Sequence, residues 1–515
     1  MTMLSLAAVL AEGARKYPDK VAVVDGPLRT TYRELWHQSL AYAAGLRELG
    51  IGPGDTVAML IPNLTDFPRV YYAALAVGAR VVPVHLLLTA EEMAYVLRDS
   101  GTDLLVTHSS QLQTASTAAH KAGTKLASVG PLPPDLPGAP QRLEDAAAAV
   151  EALPTYVSRE AEDVAVVFYT SGTTGEPKGA LLTHLNLVMN ATVNVFDANE
   201  VRTDDVVMGC LPLFHTFGQT VGMNGTFRFG GTLVLLARFT GEAAVDLMVR
   251  ENVTVFHGVP TMYIALLEAA AKADTLPALR LCVSGGASLP VAVLEKFGET
   301  FNAKIYEGYG LSETSPTATT NQPAFGTRAG TIGHAIWGVE VEIARPELDD
   351  RIELLPTGTL GEIVIRGHNV FAGYLNRPED TAEAVVDGWF RSGDLGTKDA
   401  EGFITIVDRK KDLIIRGGFN VYPREVEEAL ARHPGVVQVA VIGVADPVHG
   451  EEIMAVIVPD QGENTALSAD ELIEWSKERL GKHKYPRKVR FVEQLPMGPS
   501  FKVLKRELRR TIGGQ

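Results

Sequence analysis

From its start to about residue 160 the chain alternates between two periodicities, and that alternation limits the folds open to it. Residues 7–15, 32–49, 67–77 and 90–99 carry helical spacing, while 56–61, 81–83 and 104–108 are short apolar runs rich in β-branched residues. Turn residues such as Gly52-Pro53-Gly54-Asp55 separate them. Strands apolar on both sides and divided by helices predict parallel sheets covered by helices, an α/β fold. A further apolar run, 163–169 (DVAVVFY), reads as a buried strand, and it enters the stretch YTSGTTGEPKG at 169–179. Gly172 and Gly175 let the backbone curl so that N–H groups converge on an anion. The hydroxyls of Thr170, Ser171, Thr173 and Thr174 add donors, and Lys178 adds positive charge. That is chemistry for holding a polyphosphate. It is not a Walker loop, which needs Gly-Lys followed by Ser or Thr; here Lys178 lies between Pro177 and Gly179.

Length and charge bound the rest. At 515 residues the chain has room for two to four domains. A net charge of −15 and the lack of a basic tail argue against a nucleic-acid binder, but not against a nucleotide held by local loops. Two cysteines, Cys210 and Cys282, in apolar surroundings form no disulfide framework and no metal-ligand spacing, so a cytoplasmic setting is expected. Residues 4–11 are apolar without a preceding basic region, which reads as an amphipathic helix rather than a signal peptide. Residues 71–88 are interrupted by Arg80, Pro83 and His85, so no integral membrane segment is expected. The proline-rich 130–141 reads as a surface connection.

Five more stretches carry candidate chemistry. LPLFHTFG (211–218) sets His215 between aromatic residues, and TVFHGVPTMY (254–263) reads as a strand and helix start whose His257 is equally a wall or a core residue. LCVSGGASLP (281–290) is a strand stopping at glycines before a helix near Pro290 that Ser288 can cap, and doubly wound folds place ligands at such turns. In IYEGYGLSET (305–314) an aromatic between glycines can face a purine, and a hydroxyl beside a carboxylate can bind an α-phosphate and Mg²⁺. WFRSGDL (389–395) offers Asp394 at a strand end, where a carboxylate can accept two ribose hydroxyls.

The loop at 169–179, taken with these stretches in this order, resembles the adenylate-forming superfamily, in its acyl-CoA synthetase and fatty-acid–CoA ligase branch. The resemblance covers essentially the whole chain. It implies a large N-terminal domain of helix-covered, mostly parallel sheets with a smaller β-rich subdomain (1–410). A small mobile α+β C-terminal domain (411–515) follows, with a hinge at Lys411. It implies MgATP and CoA as co-substrates. Thr170, Ser171, Gly172, Thr173, Thr174 and Lys178 would hold phosphates. Gly286, Ala287, Glu307, Gly308 and Tyr309 would lie against adenine, Ser312 on the α-phosphate, and Asp394 and Arg409 on the ribose. Glu313, with Thr170, would hold Mg²⁺. Phe214, His215, Phe217, Gly218, His257, Met262, Gly285 and Gly310 would line the acyl site. Gly417, Gly418 and Phe419 would line the CoA tunnel, and Lys502, in LPMGPSFKVLKREL (495–508), would bridge carboxylate and α-phosphate.

The implied reaction is activation of a carboxylic acid as acyl-AMP with pyrophosphate release, then transfer to CoA. The 211–224 and 256–263 stretches look most like medium- or long-chain fatty-acid ligases; an aryl or cinnamate-type acid is the second reading. One departure stands out: the glycine expected before the lysine is Phe501. It leaves a catalytically impaired adenylate binder as an open alternative; a fatty acyl-AMP ligase that passes its product to a carrier protein, and a homodimer, are left open too.

Overall fold

A computed structural model describes residues 2–133, 136–170, 176–460, 467–498 and 503–512. The first 335 residues build two parallel sheets that share one apolar layer. The seven-stranded sheet runs Gln141–Arg142, Lys125–Val129, Leu104–His108, Thr56–Leu60, Arg80–Pro83, Val164–Thr170, Lys178–Thr183, parallel until the last strand, which turns back antiparallel. The nine-stranded sheet has a parallel centre, from Ile305–Gly310 through Leu281–Ser284, Val255–Gly258, Val206–Gly209 and Thr232–Leu235 to Val21–Asp25, with antiparallel strands at its edges. The largest apolar cluster fills the space between the two sheets, and two others lie under the helices on their outer faces. Burial on both faces is why the central strands read as unbroken Val/Ile/Leu runs.

Helix starts follow local chemistry. Thr31 with Glu34, Thr89 with Glu92, and Thr183 with Asn186 form reciprocal caps on the helices Tyr32–Glu48, Ala90–Asp99 and His184–Val193. Pro260, Pro378 and Pro423 occupy first-turn positions, where a missing N–H costs nothing. The expected helices and strands of residues 1–160 are all present, with ends within one or two residues. Ser288 is not a cap: the helix Val291–Phe301 begins after Pro290, and no side chain bonds its first amides. Asp394 lies within the long strand Trp389–Lys398 rather than at its end, next to an irregularity in its pairing.

A third, antiparallel sheet, built on Val339–Ala344, Gly361–Gly367, Trp389–Lys398 and Ile404–Arg409, stands against the first two and corresponds to the β-rich subdomain. From Ile414 onward the chain forms a fourth sheet of its own. Its long central hairpin pairs Val436–Asp446 with Gly450–Pro459, and separate apolar clusters cover its two faces. The architecture is mixed α/β with a smaller β-rich C-terminal unit. Among the described residues no helix is long and apolar enough to cross a membrane.

The strand Ile305–Gly310 ends on a bulge that aims the following turn at the space between the sheets. A Cβ on Gly310 would sit 1.7 Å from the Pro316 carbonyl oxygen, whereas one on Gly308 would meet nothing closer than 3.3 Å. Gly310→Ala is expected to cost about 3 kcal/mol or more, at the upper end for overpacking, and Gly308→Ala well under 1 kcal/mol. Urea midpoints of the two variants measure this; equal midpoints would refute the close approach at Gly310.

Candidate active site

The strands of both parallel sheets end at one cavity of about 1070 Å³. Thr170 and Lys178 reach it from the seven-stranded sheet, and the run Gly308–Ser312 with Glu313 reaches it from the nine-stranded sheet. Asp394 and Arg409 reach it from the third sheet, with Lys410 and Lys411 at the passage to the C-terminal unit. Placing ligand groups beyond the carboxyl ends of parallel strands follows from the topology.

At the phosphate end Lys178 Nζ pairs with the Asp380 carboxylate at 2.5 Å and lies 5.4 Å above the ring centre of Tyr374. The Tyr374 hydroxyl donates to Glu313 Oε1 at 2.8 Å. Glu313 is only 8% exposed yet lies on the cavity wall, as does Thr170. A carboxylate and a hydroxyl facing a shared space are the hard oxygen donors that fit Mg²⁺. Ser171, Gly172, Thr173, Thr174, Phe501 and Lys502 lie outside the described residues. Leu504, two positions past Lys502, is on the cavity wall. One further donor cluster among the described residues, Asp446, His449 and Glu452, belongs to the C-terminal sheet; there Arg416 already pairs with both Glu452 oxygens at 2.6 and 2.9 Å.

At the opposite wall the Asp394 carboxylate accepts from Tyr309 Oη at 2.5 Å and from Arg409 Nε at 3.1 Å. Burial, and then the Asp394 charge, push the Tyr309 hydroxyl well above the ordinary phenol range, so it stays a donor. Ser392 Oγ accepts the Asp394 amide. Beneath this turn Arg391 and Glu362 form a buried pair at 2.5 Å, and Glu362 also accepts from the Gly393 amide. Asp394 is therefore held in place on both carboxylate oxygens, each keeping room for a further donor.

The third end is aromatic. His85 packs on Phe214 with ring centres 4.3 Å apart, and Phe217 reaches the cavity because Gly285, 3.2 Å from its ring at the Cβ position, carries no side chain. His215 Nδ1 accepts from the Phe217 amide at 3.3 Å, which orients its ring on the wall. Burial lowers the His85 pKa to about 4, so at neutral pH it is uncharged. Thr216 and Ser284 lie in the wall but are fully buried, their hydroxyl oxygens closed off from the cavity itself.

The structure thus gathers Thr170, Lys178, Phe214, His215, Phe217, Gly285, Gly286, Gly308, Tyr309, Gly310, Ser312, Glu313, Asp394, Arg409 and Lys411 around one space. Eight expected residues fall elsewhere. His257 and Met262 are buried in the core behind the wall; burial lowers the His257 pKa to about 4, and its ring touches the cavity only through Phe217, 6.1 Å away. Gly218 lets a helical turn pack on Pro212, whose carbonyl oxygen lies 2.3 Å from a Cβ there. Ala287 points into solvent. Gly417, Gly418 and Phe419 belong to an exposed hairpin between Ile414–Arg416 and Phe419–Val421. Glu307 turns under the strand, 3% exposed, accepting from the Leu289 amide at 3.1 Å while its other oxygen has no partner.

Tyr374, Asp380, His85 and Ser392 are among the wall residues that the sequence reading missed. For Tyr374 a cue existed, an aromatic after a glycine in AGYLNRPED, the pattern that singled out Tyr309.

Residues 10–375 match the AMP-binding enzyme family model, and residues 425–502 match that of the AMP-binding enzyme C-terminal domain. The chain is 36% identical over 507 residues to a feruloyl-CoA synthase of an Amycolatopsis species, covering 97% of both. It is 34% identical over 536 residues to a long-chain-fatty-acid–CoA ligase of Bacillus subtilis, covering 98% of this chain and 94% of that one. The ATP-bound crystal structure of MatB from Rhodopseudomonas palustris superposes with a TM-score of 0.88 at 34% identity, covering 98% of each chain.

Glu307 sets a pH test. Burial raises its pKa to about 7, against the attraction of Arg424. A carboxyl raised in this way favours the folded state below its unfolded pKa near 4.5, and that support is lost as pH climbs through 7. Glu307→Gln removes the titration. The variant should gain on the wild type by up to about 3 kcal/mol between pH 5 and pH 8. Urea unfolding across that range measures the gap; parallel curves would show that Glu307 does not titrate there.

Proposed function

Since the chain belongs to the AMP-binding enzyme family, and with it is an AMP-forming acid–CoA ligase, we propose that its acid is aromatic. The acid end of the cavity carries this reading. It closes on the rings of Phe214, Phe217 and His85, flat faces against which an aryl ring can pack. The alkyl chain of a medium- or long-chain fatty acid is the second reading, favoured by the apolar Val221 and Val283 on the same wall.

In the first half-reaction the acid carboxylate attacks the α-phosphorus of ATP and pyrophosphate leaves. No side chain serves as a nucleophile, so the residues act by position and charge. Lys178 faces the β- and γ-phosphates, Ser312 the α-phosphate, and Asp394 with Arg409 the ribose. Tyr309 stands beside the adenine. Glu313 and Thr170 would hold Mg²⁺, which supplies charge neutralisation on the phosphate oxygens. His215 and Phe214 orient the carboxylate. Lys502 bridges the reacting groups in this step. In the second step the CoA thiolate attacks the acyl carbonyl and AMP leaves. We assign Lys411 as the pivot about which residues 411–515 turn between the two steps, bringing Gly418 to the CoA path.

Incubation of the protein with MgATP, CoA and a mixed pool of linear, dicarboxylic and substituted aryl acids, with thioesters read by mass, tests the acid class. Thioesters of aryl acids should dominate; predominance of twelve- to sixteen-carbon alkyl thioesters would overturn the aryl reading. Lys502→Ala should lower acyl-AMP formation at least a thousandfold while leaving thioester formation from supplied acyl-AMP within threefold. Equal loss of both steps would remove Lys502 from its assigned role.

A further inference from the structure

Between the strand Gly361–Gly367 and the helix Pro378–Ala384 the chain passes through residues 368–377, which hold no strand of their own. They are nevertheless stitched to both sides of the phosphate end. The Phe371 amide donates to the Glu313 carbonyl at 2.9 Å. The Ala372 amide donates to Leu181, the Leu181 amide to Gly373, and the Leu375 amide to Gly179, all at 2.8–2.9 Å. One short segment thus lies along the strand that begins with Lys178 and touches the turn that carries Glu313. Its helix end is fixed as well: Thr381 Oγ1 accepts the Tyr374 amide at 2.9 Å, and the neighbouring Asp380 holds Lys178.

Tyr374 is the side chain that this arrangement places between the two charged groups. Its hydroxyl donates to Glu313 Oε1 at 2.8 Å, and its ring face lies 5.4 Å below the Lys178 ammonium. A donor on one carboxylate oxygen fixes the rotation of the group and leaves the other oxygen to a cation. A ring face under an ammonium restrains a flexible four-carbon stem without neutralising it.

We propose that Tyr374 is a positioning residue for metal–nucleotide binding, presenting the Glu313 carboxylate and the Lys178 ammonium together to a Mg²⁺-bound triphosphate. Asp380 is the counter-charge that Lys178 exchanges for phosphate oxygens.

This inference rests on the ATP-using reading above. Calorimetric titration with ATP in Mg²⁺ and with ATP in EDTA tests it without turnover. The wild type should bind ATP more tightly in Mg²⁺. Tyr374→Phe keeps the ring and removes the hydroxyl; it should shrink that Mg²⁺ advantage about tenfold or more, the worth of one hydrogen bond to a charged group. Its affinity in EDTA should stay within twofold. Tyr374→Leu should in addition weaken binding in EDTA at least threefold, because Lys178 loses its support. An unchanged Mg²⁺ advantage in Tyr374→Phe, or an equal loss in Mg²⁺ and EDTA, would overturn the positioning role while leaving the ligase reading intact. A wild type that binds ATP in neither buffer would remove the ligase reading and this inference together.

Discussion

The site depends on a few main-chain hydrogen bonds that cross between elements far apart in sequence. Residues 371–375 bind by their amides and carbonyls to the strand Lys178–Thr183 and to the carbonyl of Glu313, and that lacing fixes Lys178 and Glu313 relative to each other. Backbone bonds suit this task, because they fix two chains in register whatever the side chains are. The two parallel sheets supply the platform beneath them, and their shared apolar layer keeps the platform rigid. The third sheet does the same at the opposite wall: its buried Arg391–Glu362 pair holds the turn from which Asp394 projects. Breaking such a pair by removing one partner leaves a buried charge, so it constrains geometry more than it adds stability.

Much of this was legible in the sequence where chemistry is local. Helical spacing marked the helix starts of the first 160 residues to within a residue, and β-branched runs marked the strands. Glycines beside a tyrosine or hydroxyl marked the turns that face the cavity. The misreadings have a common physical source. His257 lies on a strand buried on both faces, so alternation carries no sign of which face meets the ligand. Met262 lies near the start of a helix that is apolar around most of its circumference, with the same loss of direction. Tyr374 and Asp380 reach the site through long-range backbone pairing, which no short window of sequence encodes. Glu307 sits one residue from a wall glycine yet points the other way, as the strand period requires.

Charge is distributed with the same economy. The chain as a whole is strongly acidic, with a net charge of −15, while its polyanion site gathers Lys178, Arg409, Lys410 and Lys411 on the walls. Each of the first three is met by a nearby carboxylate, Asp380, Asp394 and Asp349 respectively. The cations are thereby kept in fixed positions without a ligand, and a phosphate or ribose enters by competing for groups already oriented rather than by collecting loose ones.

The last strand of the seven-stranded sheet turns back on its neighbour, with Thr170 opposite Lys178. In phosphate sites where the strand leads straight into a helix, the helix macrodipole adds a field directed at the anion. Here the next helix, His184–Val193, starts only after the returning strand has run its length, about 17 Å away. Its positive end therefore lies well beyond the single turn over which a helix terminus acts on a charge. The long-range pull on an incoming triphosphate is left to point charges on side chains, so the speed of capture, more than the strength of the final grip, is the property that dissolved salt controls.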